Sequence, residues 1–269
     1  MSTPQSPKPS PRERLREAQL REARSAAVRR RTVVGASILG VLALAAATTL
    51  AISTASDGSS GGSDTVSVSS TLVTPANSSG QNGTVIVYGR ADAPHTLQVF
   101  EDFRCPICKV FEGSAGKAVQ QLADDGTYKI EYHLAAFLDD NLGGQGSKTA
   151  LAAVGAALNE GGAAKFKQFH DVLYANQPEE RVDGFGDVNH ILALADKVPG
   201  LKTEAFTKAV TEGTYRPWAG KVAAAFNSSG VTGTPTIKLD GKALELFDSK
   251  GTPMTAEQFT AVVRQATGS

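Results

Sequence analysis

The sequence predicts an α/β domain that contains an inserted block of helices and follows a single N-terminal transmembrane helix. Three observations lead to this fold class. Residues 32–53 form an uncharged, mostly apolar run, residues 96–134 follow a strand–helix–strand pattern, and residues 147–229 carry helical periodicity. From Thr84 onward the chain is long enough to bury the core of one domain.

The first 53 residues have the pattern of a membrane anchor. Arginines dominate the charge of residues 1–31, a composition also seen in nucleic-acid-binding segments. The apolar run that follows argues against nucleic acid, because it has the roughly 20 residues that a helix needs to cross a bilayer. Basic residues flank only its N-terminal end. We therefore expect a cytoplasmic segment at 1–31, a single-pass helix at 32–53 in the cell membrane, and the rest outside the cytoplasm.

A cleaved secretory signal is the alternative interpretation of this region, with cleavage near Ser53. Secretory signals usually have a short basic region and an apolar core of about 7–15 residues. Both parts are longer here, which favours a retained anchor. Arg30 and Arg31 also allow a twin-arginine export signal, but the residues after them match that pattern poorly.

Residues 54–83 are predicted to be a flexible linker, and residues 84–269 the folded domain. The linker is rich in Ser, Gly and Thr and lacks hydrophobic periodicity. At the start of the domain, Thr84–Tyr88, Thr96–Phe100 and Tyr128–Leu134 have the composition of strands. A helical pattern separates the second from the third, so these two strands are expected to pair in parallel as a βαβ unit.

Residues 147–229 are predicted to be a helical insertion. Asp187 and Thr203 are placed to cap two of its helices, and Gly230 to follow the last one. Two apolar stripes at helical spacing are expected to face the core, and they comprise Leu151, Val154 and Leu158, and then Phe166, Phe169 and Leu173.

The last part of the domain is predicted to be a β-hairpin and a helix. Thr236–Leu239 has the composition of a strand, and Asp240-Gly241 is a favoured two-residue hairpin turn. Thr255 and Gln258 have the spacing of a capping box, which predicts the start of the final helix.

Cys105-Pro106-Ile107-Cys108 holds the only two cysteines of the chain, at the point where a strand gives way to a helix. Residues three positions apart on a helix are neighbours, and a disulfide needs Cα atoms about 4.4–6.8 Å apart. The two sulfurs can therefore join and separate with little backbone movement. This placement predicts reversible dithiol–disulfide chemistry.

A zinc site and an inert disulfide are the alternatives for this pair. A disulfide that closes so small a loop constrains the unfolded chain little. Zinc usually takes four ligands. Two of them would have to come from histidines that lack the expected close spacing, namely His95, His133, His170 and His190.

The two cysteines are expected to differ in reactivity. Cys105 is placed to cap the helix, with Pro106 at the first helical position, where a missing N–H costs nothing. The helix dipole then favours a Cys105 thiolate by about 1–2 kcal/mol. Hydrogen bonds and the nearby Arg104 or Lys109 are expected to lower its pKa further. Cys108 is expected to be buried and to act as the resolving thiol.

A second motif, Gly233-Thr234-Pro235, lies immediately before the predicted hairpin. From the sequence alone, the Thr234–Pro235 peptide bond is expected to be trans. The two motifs together with the helical insertion resemble the DsbA-like branch of the thioredoxin superfamily. Phe169-His170-Asp171, followed by Leu173, Tyr174 and Gln177, is also similar to the insertion of that branch.

The resemblance covers nearly all of residues 84–269 and implies a thioredoxin-like fold with an inserted helical subdomain. It implies that Pro235 is cis and packs against the disulfide, and that the Thr234 backbone pairs with an extended substrate segment. It implies cysteine-containing exported proteins as substrates and a quinone-linked membrane protein as the reoxidising partner. We expect neither a cofactor nor a metal ion.

Two positions depart from the pattern of these relatives. Ile107 stands where the most oxidising members carry a histidine that stabilises the thiolate. Val99 stands where relatives often have an acidic residue that shuttles protons. Glu101 or Asp102 is a candidate substitute, although an exposed charge is the simpler interpretation of either. His170 is expected to serve packing or the surface rather than catalysis.

These observations lead to the hypothesis of a membrane-anchored, extracytoplasmic thiol:disulfide oxidoreductase. A disulfide reductase for cytochrome or metal-centre maturation is the alternative within the same chemistry. A non-catalytic tethered module that binds peptides is the alternative from another class. Without the histidine at Ile107, the dithiol is expected to be less oxidising than the DsbA extreme of about −120 mV.

Overall fold

The structure is a computed structural model and describes residues 71–268. The predicted cytoplasmic segment 1–31 and the predicted transmembrane helix 32–53 lie outside the described residues. Within 71–268, none of the helices is both long and apolar enough to cross a membrane.

The described chain contains a five-stranded sheet with the strand order β1-β3-β2-β4-β5. β2 and β3 pair in parallel, as predicted, while the other neighbouring strands pair antiparallel. The long antiparallel partner of β2 is the strand that follows the Thr-Pro motif, with Val99 opposite Ile237. The strands are β1 (Ile86–Tyr88), β2 (His95–Asp102), β3 (Tyr128–Ala135), β4 (Thr236–Leu239) and β5 (Lys242–Ala243).

Helices connect the strands and cover the sheet. The helical pattern after the cysteines forms two helices rather than one, and they meet at Ala115, where φ widens to −118°. The inserted block begins at Phe137, ten residues before the predicted start. The α-helices are α1 (Pro106–Ser114), α2 (Gly116–Asp124), α3 (Phe137–Leu142), α4 (Gly146–Ala175), α5 (Val188–Ala195), α6 (Glu204–Thr211), α7 (Arg216–Ser228) and α8 (Ala256–Thr267).

The predicted helix starts are confirmed by their hydrogen bonds. The side chain of Asp187 accepts from the Asn189 N–H at the start of α5, and that of Thr203 accepts from Phe206 at the start of α6. Thr255 and Gln258 form the capping box of α8. The two predicted apolar stripes are both buried in α4.

Helix α4 is interrupted in its middle by two glycines. Gly161 departs from helical geometry with a φ of −148°, and Gly162 has a φ of +65°, which residues with a side chain rarely adopt. The first half of α4 carries the apolar stripe that ends at Leu158. The second half carries Phe166, Phe169 and His170.

Residues 71–83, which were predicted to be the last part of the linker, belong to the domain, so its boundary lies before Thr84. The Ala76 N–H donates to Asn159 at 3.1 Å, and Asn77 donates to the Leu158 carbonyl at 3.2 Å. Pro75 is buried. Residues 71–83 were missed because they bind through backbone and amide groups, which leave no hydrophobic periodicity in the sequence.

Strand β2 is covered on both faces near its C-terminal end. Val99 packs in the main core, whereas Phe100 packs in a separate cluster with Ala135 and Phe226. Side chains alternate along a strand, so Glu101 and Asp102 follow Val99 and Phe100 onto opposite faces. Both acidic side chains are fully buried at the point where β2 leads into the cysteine motif.

Candidate active site

The two cysteines lie at the start of α1. Cys105 has extended backbone angles and occupies the N-cap position, and Pro106 is the first residue of the helix, as predicted. Cys108 lies one turn further on and is 0% exposed, while Cys105 is 6% exposed. Both are free thiols in this structure.

The surroundings of Cys105 stabilise its thiolate. A hydrogen bond from the Cys108 thiol lowers the pKa of Cys105 to about 6, against the opposing effect of burial. The Thr234 side chain and the backbone N–H groups of Cys108 and Ile107 lower it further. These donors converge because the first turn of a helix leaves its N–H groups without intrahelical partners. Cys105 is therefore largely ionised at neutral pH.

The surroundings of Cys108 have the opposite effect. Burial raises the pKa of Cys108 well above its usual value, and the hydrogen bond to Cys105 and the charge of Glu101 raise it further. The Asp102 backbone, which hydrogen-bonds to the Cys108 sulfur, offsets only part of this. One helical turn thus holds one ionised and one neutral thiol, the division that dithiol exchange requires.

Arg104 and Lys109 do not supply the charge that was expected of them. Arg104 is 4% exposed and donates to Asp139 at 2.8 Å, away from the sulfur. The Lys109 ammonium donates to the Gln177 carbonyl at 3.2 Å. The prediction was wrong because both cations are engaged by the helical insertion, and hydrogen bonds at the start of α1 take their place.

The Thr-Pro motif lies beside Cys105. The Thr234–Pro235 peptide bond is cis, as the resemblance implied and the sequence alone did not. The Thr234 carbonyl accepts a hydrogen bond from the Cys105 thiol at 3.4 Å. The Thr234 hydroxyl is buried and has no other partner within the described chain, so it is available to donate to a Cys105 thiolate. Folding thus brings together motifs that are 129 residues apart.

The outer side of the site is apolar. Ile107 is 46% exposed and Val110 is 41% exposed, and both lie on α1 within five residues of Cys105. The inner side is held by Gln177, whose amide donates to the carbonyls of Phe103 and Cys105 at 2.8 and 2.9 Å. Gln177 therefore fixes the turn from β2 into α1.

A group of charged residues that we call the Glu101 cluster lies behind the cysteines. Glu101 Oε2 is 3.0 Å from His170 Nε2, and both side chains are 0% exposed. His170 Nδ1 is 3.1 Å from Asp171 Oδ1. The expectation that Glu101 is an exposed charge was wrong, because α4 covers this face of β2. The cluster comprises Glu101, Glu112, Lys167, His170 and Asp171.

The Glu101 cluster leaves carboxylate oxygens without partners. Glu101 Oε1 and Glu112 Oε1 are buried and lack a hydrogen-bond partner in the part of the chain that the structure describes. Burial raises the pKa of Glu101 to about 8, and the negative charge of Glu112 adds to this. Burial thus favours the protonated, neutral form of the Glu101 carboxyl.

Within residues 71–268, the same cluster brings together three side chains of the types that can bind metal ions. One ligand atom from each of Glu101, Glu112 and His170 lies within 4.8 Å of the others. The buried Lys167 ammonium, 4.0 Å from Glu112 Oε2, already offsets part of their negative charge. Lys167 also bonds to Asp171. These residues therefore fit a bound cation poorly, because a buried ammonium already pairs with the carboxylates.

A second buried group, which we call the Asp102 network, lies on the opposite face of β2. Asp102 accepts hydrogen bonds from Ser147 Oγ at 2.5 Å, the Arg104 N–H at 3.0 Å and the Leu138 N–H at 3.2 Å. Asp139 binds the Arg104 guanidinium and accepts from two N–H groups at the start of α4. Every carboxylate oxygen of this network has a partner.

A reactive thiol at the start of a helix, a buried second thiol and an adjoining cis-proline loop define a thiol:disulfide oxidoreductase of the thioredoxin type. Residues 81–265 match the family model described as Thioredoxin. The chain therefore belongs to the thioredoxin family.

Comparisons with known proteins agree with this assignment. Disulfide bond formation protein D of Bacillus subtilis (strain 168) is 27% identical over 167 residues, which span 60% of this chain and 70% of that protein. The probable disulfide bond formation protein D of Bacillus cereus is 24% identical over 165 residues, 60% of this chain and 73% of that protein.

Two solved structures share the fold. Oxidised BdbD from Bacillus subtilis superposes with a TM-score of 0.57 at 22% identity, covering 74% of this chain and 99% of that one. The reduced disulfide bond oxidoreductase DsbG from Mycobacterium tuberculosis superposes with a TM-score of 0.56 at 24% identity, covering 69% of this chain and 88% of that one.

Proposed function

We propose that this chain is a membrane-tethered thiol:disulfide oxidoreductase that forms or exchanges disulfides in exported proteins through Cys105 and Cys108. The observation that carries the proposal is that the pKa values of two neighbouring thiols are shifted in opposite directions. The pKa of Cys105 is lowered to about 6, and that of Cys108 is raised. The names of the Bacillus relatives, which are disulfide bond formation proteins, support disulfide formation as its direction.

In the proposed mechanism, a substrate thiolate attacks Cys105 Sγ of the oxidised enzyme. The Cys105–Cys108 bond breaks, and its electron pair remains on Cys108, which takes up a proton. A second substrate thiolate then attacks the substrate sulfur of the mixed disulfide, and Cys105 leaves as a thiolate. The substrate gains one disulfide and the enzyme becomes a dithiol. A two-electron acceptor, for which we propose a quinone-linked membrane protein, restores the enzyme disulfide.

The assigned substrate contacts follow from the surface around Cys105. We assign the Thr234 backbone and Pro235 to an extended substrate segment, which would lie beside the sulfur that Thr234 contacts. The exposed Ile107 and Val110 extend this surface with apolar area and suit a substrate whose cysteine lies in an unfolded, apolar segment.

The proposed location rests on residues 1–53, with 32–53 as a membrane helix and the enzyme domain outside the cytoplasm. Disulfides persist in such oxidising surroundings. Labelling with a membrane-impermeant maleimide tests the topology. In intact cells of a Cys105→Ser/Cys108→Ser background, a cysteine introduced at exposed Thr232 should react, and one introduced at Ser10 should not. The reverse pattern would contradict the proposed orientation.

A reductase role in cytochrome or metal-centre maturation remains the competing proposal. Lower thiol pKa values accompany stronger oxidants, and about 6 lies between thioredoxin at about 7 and DsbA at about 3.5. We therefore expect a reduction potential of about −200 mV. Equilibration with glutathione measures it. A value near −270 mV would favour the reductase, and one at or above −120 mV would contradict the prediction from Ile107.

A Cys108→Ala variant tests the assigned roles directly. Without the resolving thiol, Cys105 should remain bound to its substrates, so the variant should accumulate mixed disulfides that disappear on reduction. Non-reducing electrophoresis of cell extracts measures them, and a Cys105→Ser/Cys108→Ala variant is the matched control. The roles are wrong if the single variant forms no adducts while the wild-type protein oxidises thiols.

A further inference from the structure

The mechanism creates a proton problem in the interior of the domain. Cys108 must gain a proton when the disulfide opens and lose it when the disulfide closes, yet its side chain is 0% exposed. Glu101 lies near enough to Cys108 for its charge to raise the pKa of that thiol, but Glu101 is also 0% exposed. A proton that passes between this thiol and this carboxyl therefore needs a further route to water.

The Glu101 cluster contains such a route. Glu101 Oε2 lies 3.0 Å from His170 Nε2, and His170 Nδ1 lies 3.1 Å from Asp171 Oδ1. The Asp171 side chain is 43% exposed and lines a surface cavity of about 320 Å³. We propose that His170 and Asp171 carry protons between Glu101 and solvent each time the Cys105–Cys108 bond opens or closes. This inference rests on the proposed function.

A histidine suits this position because its two nitrogens bond to different carboxylates. One nitrogen receives a proton while the other releases one, so the ring passes a proton without rotating. Four aromatic side chains surround the ring with centroid distances of 4.9–5.8 Å, and they are Phe103, Tyr132, Phe166 and Tyr174. Within the described residues, the carboxylates of Asp171 and Glu101 are the groups that hydrogen-bond to the enclosed imidazole.

The proton movements balance in both directions. On opening, the S–S electron pair remains on Cys108, and Glu101 transfers its proton to that sulfur. Glu101 is then reprotonated by His170 Nε2, and His170 Nδ1 is reprotonated through Asp171 from water. On closing, Cys108 releases its proton to Glu101, and one proton leaves along the same path. The electron pairs move only among sulfurs, so the relay needs no oxidant of its own.

The charges around His170 favour its protonated form, from which it can donate a proton to Glu101. Burial by itself would lower the pKa of His170, but hydrogen bonds to Asp171 and Glu101 outweigh it and raise this pKa to about 9. The same bond to His170 keeps the pKa of Asp171 low despite burial. The titratable groups that face His170 from β2, α1, β3 and α4 are Glu101, Cys108, Glu112, Tyr132, Lys167, Asp171 and Tyr174.

A purely structural ion pair is the rival explanation, so the test must follow the proton. Oxidised protein is mixed with dithiothreitol, quenched with acid and alkylated, which gives the rate at which the Cys108 thiol appears. We expect His170→Gln, which keeps a polar side chain but cannot exchange protons in this way, to lower that rate at least about 10-fold. We expect the dependence on pH between 6 and 9 to flatten and the solvent deuterium effect to change.

Two further variants keep the test decisive. Asp171→Asn alters the half-exposed end of the path, so it should fold and still slow the reaction several-fold. His190→Gln is the matched control, since His190 lies on α5 and stacks on Phe185, outside the cluster. It should leave rate, pH profile and isotope effect unchanged.

The outcomes separate this inference from the proposed function. If the wild-type protein exchanges thiols and folded His170→Gln and Asp171→Asn proteins match it in rate, pH profile and isotope effect, the relay is wrong. If His170→Gln does not fold, Asp171→Asn decides by the same three readouts. If the wild-type protein exchanges no thiols at all, the proposed function fails, and the relay fails with it.

Discussion

The Asp102 network and the Glu101 cluster begin at adjacent residues of one strand, yet they differ in how completely they are bonded. In the Asp102 network, Ser147, Arg104 and backbone N–H groups occupy every carboxylate oxygen. In the Glu101 cluster, two carboxylate oxygens lack partners and an acid, a histidine and a lysine share the interior.

This difference suits the Asp102 network to stabilising the fold and the Glu101 cluster to moving a proton. A buried network whose carboxylate oxygens all accept hydrogen bonds is not prepared to take up a proton, and it fixes β2, α3 and α4 relative to each other. An incompletely bonded cluster can accept or release a proton at little structural cost. A shift of one position along β2 thus decides whether an acidic residue stabilises the fold or can take part in proton transfer.

The largest expected effect comes from breaking the Asp102 network. Arg104→Met leaves Asp139 buried without its cation, so we expect the free energy of unfolding to fall by about 3–5 kcal/mol. Urea denaturation at pH 7 measures it. Arg90→Met is the matched control, because Arg90 pairs with Asp92 at the surface and should change nothing measurable. A loss below about 1 kcal/mol for Arg104→Met would show that the network does not hold the fold.

The next effect is a dependence of stability on pH. The folded-state pKa of Glu101 is raised to about 8 and that of His170 to about 9, so the folded protein retains protons that the unfolded chain releases. Stability should therefore fall as pH rises from 6 to 9, by roughly 1 kcal/mol per pH unit for each proton involved.

Glu101→Gln tests this assignment, because its amide stays neutral throughout. Urea titrations at pH 6, 7, 8 and 9 should give a shallower fall in stability than in the wild type, with the remainder due to His170. The pKa of Asp102 is raised only to about 6, so Asp102 contributes little above that pH. An unchanged slope would mean that Glu101 is ionised in the folded protein at pH 6.

A smaller effect is expected from Ser147→Ala. It removes the hydroxyl that donates to Asp102 and should cost about 1–3 kcal/mol of unfolding free energy. Ser114→Ala, which loses only a hydrogen bond to the Phe111 carbonyl, is the control and should cost less. The rate of thiol exchange should not change. A slower exchange in folded Ser147→Ala protein would show that the Asp102 network also takes part in the chemistry.

The smallest effect concerns the pKa of Cys105. Neither the Asp102 network nor the Glu101 cluster is expected to lower it. Thr234→Val removes a hydroxyl donor and should raise the pKa of Cys105 by about one unit. Thiolate absorbance or the pH dependence of alkylation by iodoacetamide measures it. Thr232→Val, at an exposed position two residues earlier, should have no effect, and neither should Ser147→Ala. Equal pKa values in Thr234→Val and wild type would exclude the hydroxyl as a donor.

Local sequence patterns predicted most of the fold and the cysteine end of the site. The parallel pair β2–β3, the caps at Asp187 and Thr203, and the strand Thr236–Leu239 all depend on neighbouring residues. The position of Cys105 at the start of α1 follows from the same kind of information. The cis geometry at Pro235 came from family resemblance and not from the residues themselves.

The charged interior could not be predicted in this way. Glu101 looked like an exposed charge because alternation separates inside from outside only where one face of a strand meets water. β2 is covered on both faces, so its polar residues carry no such signal. Lys167 and His170 are buried against β2 and α1 by contacts that span 55 or more positions. The available clue in the sequence was that Lys167 and His170 stand among the apolar residues of the second half of α4.

Because of the glycine break in α4, the rotational position of the second half of that helix does not depend on that of the first half. In an unbroken helix, one inserted residue would turn everything beyond it by about 100°. Here the joint at Gly161 and Gly162 lies between the half that packs through Leu158 and the half that presents His170 to Glu101. Changes of length upstream can be absorbed at the joint, so the helical block is able to diverge in evolution without misaligning the histidine.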